Sequence, residues 1–143
     1  MKSKILVAIQ FLMITLMLLP LTPISHSFYI GYLPLALGLS VGYLAIKTQP
    51  KKNFNIRPDI KENCILITDG IYSYIRHPMY FSVIVSMLGV LLLRFSLYEL
   101  VLYMVLVINM ITKMLYEESL WHCEGKEYKE YSKNTKRLIP FLF

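Results

Sequence analysis

The sequence predicts an all-α integral membrane protein with about four transmembrane helices, a cytoplasmic loop and an amphipathic helix in the C-terminal tail. Three observations support this fold class: 56% of the residues are hydrophobic, only 17% are charged, and the mean hydropathy is +0.52. A water-soluble domain of this size carries more charge. The chain of 143 residues is expected to form one membrane domain, 1–143, with no room for a separate soluble catalytic module.

A long uncharged run contains the first two predicted spans. No Asp, Glu, Lys or Arg occurs in residues 5–46, which would be about 63 Å long as a single helix. The hydrocarbon core is about 30 Å thick, so the run is long enough for two spans. Pro20 and Pro23 indicate the break between them. We therefore expect spans at 5–23 and 28–46.

A second apolar block predicts a helical hairpin. Residues 78–115 are interrupted by only three charged side chains, Arg94, Glu99 and Lys113. The polar turn at residues 94–96 divides the block into two arms, each at the short end of the range for a span. The remaining segments are polar. We expect spans at 78–93 and 97–116, a cytoplasmic loop at 47–77 and a cytoplasmic tail at 117–143.

The basic residues predict the orientation. With the N-terminus in the cytoplasm, all of the fifteen Lys and Arg except Arg94 lie on the cytoplasmic side. This asymmetry is the positive-inside pattern, so we expect a multi-pass protein with both termini in the cytoplasm. Alternatively, Lys2, Lys4 and the following apolar stretch form a signal peptide that is cleaved after Ser27 and leaves three spans. The charge asymmetry favours the retained segment.

Polar residues suited to chemistry occur first at the start of the third span. Arg76 and His77 directly precede this helix, where free backbone N–H groups and the positive end of the helix dipole attract anions. Pro78 suits the first helical position, while Tyr74 and Tyr80 add rings and hydroxyls. Taken alone, the stretch is equally compatible with a snorkelling arginine and interfacial tyrosines.

The pair Glu117-Glu118 at the end of the fourth span is the second such place. Carboxylates beside a bilayer are costly unless they are hydrated or paired. Neighbours on a helix point about 100° apart, so one acid can bind ribose hydroxyls while the other pairs with a base such as Arg76. In isolation, two solvated acids that mark the end of a span also explain the pair. Trp121 and Tyr128 further along are typical of an interfacial helix.

No metal site is expected. Cys64 and Cys123 both lie in predicted cytoplasmic segments, where reduced thiols are the rule. Their spacing relative to His77 and His122 matches no familiar metal site.

Together, the two polar stretches resemble the isoprenylcysteine carboxyl methyltransferase family, whose relatives include membrane phospholipid methyltransferases. The resemblance spans roughly residues 54–143. The matching motifs, in order along the chain, are Arg76-His77-Pro78-Met79-Tyr80, Glu117-Glu118, Gly125-x-x-Tyr128-x-x-Tyr131 and Arg137-Leu138-Ile139-Pro140. The chain departs from many members at Ile71, where they have Pro, and at Ser82, where they have Gly.

The resemblance implies an S-adenosylmethionine-dependent methyltransferase that acts on a lipophilic substrate at the cytoplasmic membrane face, most like an isoprenylcysteine carboxyl O-methyltransferase. The implied catalytic residues are Arg76, His77 and Arg137. The implied cofactor-binding residues are Tyr74, His77, Pro78, Tyr80, Glu117, Glu118 and Tyr128. The expected partners are a lipid-like substrate and membrane lipids, with no nucleic acid, and the oligomeric state stays open.

Three alternatives also stay open. A phospholipid amine N-methyltransferase needs a proton acceptor, for which a Glu or His77 is available. A NADPH-dependent membrane sterol-type reductase carries a similar Arg-His-Pro-x-Tyr segment, although such proteins tend to have Arg and Asp in place of Glu117-Glu118. A non-catalytic membrane protein with the same fold is the third.

Overall fold

Five α-helices make up most of the part of the chain that the computed structural model describes, which is residues 2–19, 21, 23, 26–50, 56–58, 65–124 and 126–139. They are α1 (Lys2–Leu18), α2 (Tyr32–Thr48), α3 (Pro78–Leu93), α4 (Leu97–Glu124) and α5 (Lys126–Asn134). Short 3-10 helices occupy His26–Gly31 and Gly70–Ser73. No strand occurs in the described ranges, so the predicted helical class is confirmed.

Two helical segments are long and apolar enough to cross a membrane, Tyr29–Thr48 and Leu97–Trp121. The apolar helix α3 is shorter, at 16 residues. Length and composition thus support two of the four predicted spans, and the arrangement with four spans remains a prediction.

Three helices begin or end at residues other than those predicted for the spans, and the positions of prolines and other helix breakers explain the differences. α3 begins and ends as predicted. α1 ends at Leu18 and does not continue to residue 23. Pro20 disfavours helical dihedral angles in the residue that precedes it, so the helix stops before this proline. α2 begins at Tyr32, which puts Pro34 in the first turn, where its missing N–H costs nothing. α4 continues past residue 116 because no helix breaker precedes Gly125.

The helices pack in the order α2, α3, α4, α1, and α1 also touches α3. The contact between α2 and α3 depends on small residues. A Cβ atom on Gly38 would lie only 2.3 Å from Ser86 Oγ and 2.5 Å from its backbone nitrogen. Small residues of this kind allow backbones to approach closely in membrane bundles. The buried apolar core lies between α1, α3 and α4 and contains Met17, Met87, Val90, Leu91, Leu102, Leu106 and Met110.

The turn between α3 and α4 is fastened to α1. The Ser96 hydroxyl accepts a hydrogen bond of 3.1 Å from the backbone N–H of Glu99, as in a capping box that starts a helix. The Arg94 guanidinium donates to the carbonyl of Leu19 at 2.9 Å. The end of α1 and the hairpin turn therefore lie at one end of the bundle, and the 65–77 segment and α5 meet at the other.

Candidate functional site

The approach to α3 is shaped by a glycine, a proline and the end of the tail. Gly70 has a φ of +58° in the left-handed region, which suits glycine and reverses the chain before the 3-10 helix. His77 has φ −122° and ψ 56°, which is outside the helical region that proline disfavours in the preceding residue, and Pro78 is the first residue of α3. The backbone N–H groups of Arg76 and His77 donate to the carbonyls of Lys136 and Arg137, at 2.8 and 3.0 Å.

Glu118 is the centre of a buried ion cluster. Its Oε1 lies 3.0 Å from Arg76 Nε, 2.9 Å from Arg76 Nη2 and 3.3 Å from His77 Nε2. Its Oε2 accepts a hydrogen bond of 2.9 Å from Arg137 Nε. Glu118 is only 4% exposed. A buried charge of this kind is stable only when it is paired and hydrogen-bonded, a condition that the two guanidinium groups meet.

Arg76 also caps the C-terminal end of α5. Its Nη1 donates to the carbonyl of Ser132 at 3.0 Å and to the carbonyl of Thr135. These carbonyls lie at the C-terminal end of α5, where the helix dipole is negative and attracts cations. The guanidinium of Arg76 is therefore engaged with both Glu118 and α5.

Glu117 has a different environment, although it is the neighbour of Glu118 on α4. Its Oε2 accepts a hydrogen bond of 2.7 Å from the hydroxyl of Tyr80. Within the described residues this is its one hydrogen bond, and the side chain is half-buried. The Tyr80 ring lies 5.4 Å from the ring of His77. Glu117 thus retains a carboxylate oxygen, Oε1, that these contacts do not use.

Aromatic side chains of the tail pack beside the two acids. Trp121 stacks on Tyr128 at 5.7 Å between ring centroids, and Tyr131 meets Tyr128 edge to face at 6.2 Å. The Tyr131 hydroxyl donates to the carbonyl of Tyr72 at 2.6 Å. Burial raises the pKa of Tyr131 to about 12, so its hydroxyl remains protonated and able to donate at neutral pH.

The structure brings most of the predicted site residues together at the start of α3 and the end of α4. These residues are Arg76, His77, Pro78, Tyr80, Glu117, Glu118, Tyr128 and Arg137. Tyr74 differs, since its side chain is 64% exposed and outside the buried cluster.

Sequence reasoning missed the Ser132 and Thr135 carbonyls and the buried Lys113. Backbone carbonyls cannot be recognised from the residue types. A lone lysine in an apolar helix can be, because a charged residue in such a helix usually has a function. Among the residues that the structure describes, no group of three or more His, Cys, Asp or Glu could hold a metal ion. Cys64 and the side chains of His122 and Cys123 are outside the described part.

The fold and the site define a helical protein with two candidate membrane-spanning helices and a buried ion cluster at the start of α3 and the end of α4. The sequence model of the isoprenylcysteine carboxyl methyltransferase (ICMT) family matches residues 29–121, more than half of the chain. The chain therefore belongs to the ICMT family, and this membership implies a membrane methyltransferase. Searches of curated proteins and of solved structures found no match.

Proposed function

We propose that this protein is an S-adenosylmethionine-dependent methyltransferase that acts on a lipophilic substrate at the cytoplasmic face of the membrane. The main support is the contrast between the adjacent acids. Glu118 is saturated by Arg76, His77 and Arg137, whereas Glu117 accepts a single hydrogen bond among the described residues. An open carboxylate beside a fully paired one suits a ligand that presents hydroxyl groups.

The residues of the site fit the proposed cofactor. A carboxylate oxygen accepts hydrogen bonds from hydroxyls such as those of ribose, so Glu117 is our candidate for the sugar. His77, Pro78 and Tyr80 line the start of α3, where the positive end of the helix suits the carboxylate of the methionine part. Tyr128, which is buried against Trp121, is our candidate for supporting the cofactor-binding residues by packing. The exposed Tyr74 is our candidate for a cofactor contact at the surface of the site.

The proposed chemistry requires positioning more than acid–base catalysis. When bound, S-adenosylmethionine supplies an activated methyl group on a sulfonium. The chain aligns the acceptor and excludes water, and the ring of Tyr80 can stabilise nearby positive charge by about 1 kcal/mol. A carboxylate acceptor needs no general base. An amine acceptor would release a proton, for which Glu117 or His77 is available.

The two arginines have different proposed roles. The Arg76 side chain is buried and engaged on all sides, so we assign it to holding Glu118 in place. The Arg137 side chain is 37% exposed while its Nε holds Glu118. Arg137 is therefore our candidate for an anionic group of the substrate, since a guanidinium can contact two partners with different N–H groups.

Two assays test this proposal. Purified protein in lipid nanodiscs should transfer labelled methyl from S-adenosylmethionine into a native lipid extract, and the chemistry of the labelled product identifies the acceptor. In calorimetric titrations, the protein should bind S-adenosylhomocysteine, and Glu117→Gln should weaken this binding at least about tenfold, since hydrogen bonds to a charged acceptor are worth about 1.5–3 kcal/mol.

The control for the titration is Glu130→Gln, which changes an exposed acid on α5 and should leave the affinity unchanged. Binding of NADPH without binding of S-adenosylhomocysteine would overturn the proposal in favour of a reductase. The absence of binding for both ligands would favour a non-catalytic protein.

A further inference from the structure

Lys113 is a buried cation in the apolar part of α4. It is 1% exposed, although lysine is almost never fully buried unless it is paired. Its Nζ donates to Gln10 Oε1 of α1 at 2.5 Å and to the carbonyl of Ile56 at 3.2 Å. A charge inside a membrane bundle is costly and usually has a function. No role in the site described so far accounts for it.

Lys113 reaches the candidate site through Tyr80. The Lys113 ammonium lies 5.4 Å from the centroid of the Tyr80 ring, within the range of a cation–π interaction. The hydroxyl of the same tyrosine donates to Glu117 at 2.7 Å. Tyr80 therefore connects the two residues: its ring contacts the Lys113 ammonium, and its hydroxyl donates to the Glu117 carboxylate.

Lys113 and Glu117 also share a face of α4, because residues four apart on a helix are neighbours. The nearby Glu118 has its own cations, Arg76 and Arg137. The direct partner of Glu117, by contrast, is the neutral hydroxyl of Tyr80. Lys113 therefore supplies positive charge on the side of α4 that carries Glu117.

We propose that Lys113 is a positioning residue for the methyltransferase site. It orients the ring of Tyr80 and thereby holds Glu117 in the conformation that binds ribose hydroxyls, and Gln10 holds the ammonium in place. Because Gln10 lies outside the family match of residues 29–121, α1 would be a working part of this site. This role rests on the proposed function of Glu117.

The test separates positioning from a purely structural role. Lys113→Met should weaken S-adenosylhomocysteine binding about tenfold, because without the cation–π contact Tyr80 no longer holds its orientation beside Glu117, and Lys113→Arg should recover most of the affinity. The double variant Gln10→Leu/Lys113→Met replaces a buried polar pair with apolar groups, which often restores stability. We expect it to regain thermal stability without regaining affinity. Thr112→Val, on the exposed side of α4, is the control.

A double-mutant cycle tests whether Lys113 acts through Glu117. In the Glu117→Gln background, Lys113→Met should cause no further loss of affinity. If the affinity losses of Lys113→Met and Glu117→Gln multiply in the double variant, the two residues act independently and the inference is overturned. Recovery of affinity in the Gln10→Leu/Lys113→Met variant would also overturn it. The same cycle is measured in thermal unfolding, with the single Trp121 as the fluorescent probe. Wild-type protein that binds no S-adenosylhomocysteine would overturn the proposed function, whereas absence of coupling in unfolding would overturn the role of Lys113.

Discussion

One carboxylate joins three separate segments of the chain. Glu118 lies near the end of α4, Arg76 and His77 directly precede α3, and Arg137 follows α5. The charges are mutually dependent, because removal of one partner from a buried pair leaves another charge uncompensated. Glu118 is therefore more important for assembly of the site than Glu117, although the two are neighbours in sequence.

Glu118→Gln should destabilise the protein strongly. The neutral amide leaves Arg76 buried without its counter-charge, which typically costs about 3–5 kcal/mol. The measurement is denaturant unfolding in detergent micelles, followed by the fluorescence of Trp121. Glu130→Gln removes an exposed acid and should change little. Unfolding of the Glu118 variant at the wild-type denaturant concentration would show that the cluster does not stabilise the fold.

At the scale of helices, close contact between α2 and α3 predicts sensitivity to a single methyl group. Gly38→Ala places a Cβ atom 2.3 Å from Ser86 Oγ and 2.5 Å from the backbone of α3, so the helices must separate. Overpacking of this kind costs about 1–3 kcal/mol. Thermal unfolding in nanodiscs provides the measurement. Leu39→Ala changes an exposed neighbour on the same helix and should be tolerated; equal effects of the two substitutions would contradict the predicted contact.

Docking of α5 should depend on pH. Burial raises the pKa of Tyr131 from its ordinary value of 10.0 to about 12, and it also raises the pKa of Tyr72 and Tyr128. The folded state therefore favours the protonated phenols, so their contribution to stability is complete below pH 10. The contribution of Tyr131 is lost as the pH rises through 12, and those of Tyr72 and Tyr128 are lost at higher pH.

Fluorescence of Trp121, which stacks on Tyr128, should report this loss in an alkaline titration. Tyr131→Phe removes the hydrogen bond to Tyr72 and should reduce the pH dependence. An alkaline transition that is identical in Tyr131→Phe would exclude Tyr131 as a titrating group.

At the scale of the whole molecule, the orientation in the membrane can be tested by labelling. The hairpin turn is expected on the non-cytoplasmic side, because Arg94 is the one Lys or Arg that the predicted topology places on that side of the membrane. In a background with Cys64→Ser and Cys123→Ser, Phe95→Cys should react with an impermeant maleimide in intact cells, since Phe95 is exposed. A cysteine at Lys4 should react only after lysis. The reverse pattern would invert the predicted orientation.

The sequence contains enough information to predict the hairpin and the junction that carries the site. Pro78 and the turn at residues 94–96 are strong local signals, so the limits of α3 were predictable to the residue. The proximity of Arg76 to Glu118 followed from the antiparallel hairpin between them. The partner of each acid did not follow, because it depends on side-chain distances of a few ångströms. The contact between Gln10 and Lys113 joins residues 103 apart in sequence, so it depends on the order of the helices.

The short parallel bridge between Ile75 and Lys136 has a practical consequence for exchange of segments between family members. Residues 72–80, 117–118 and 131–137 form one interlocked unit, although the family match ends at residue 121. A chimaera joined at the end of that match would combine the Arg76 of one protein with the tail carbonyls of another. Functional hybrids should therefore exchange the tail together with the segment that precedes α3.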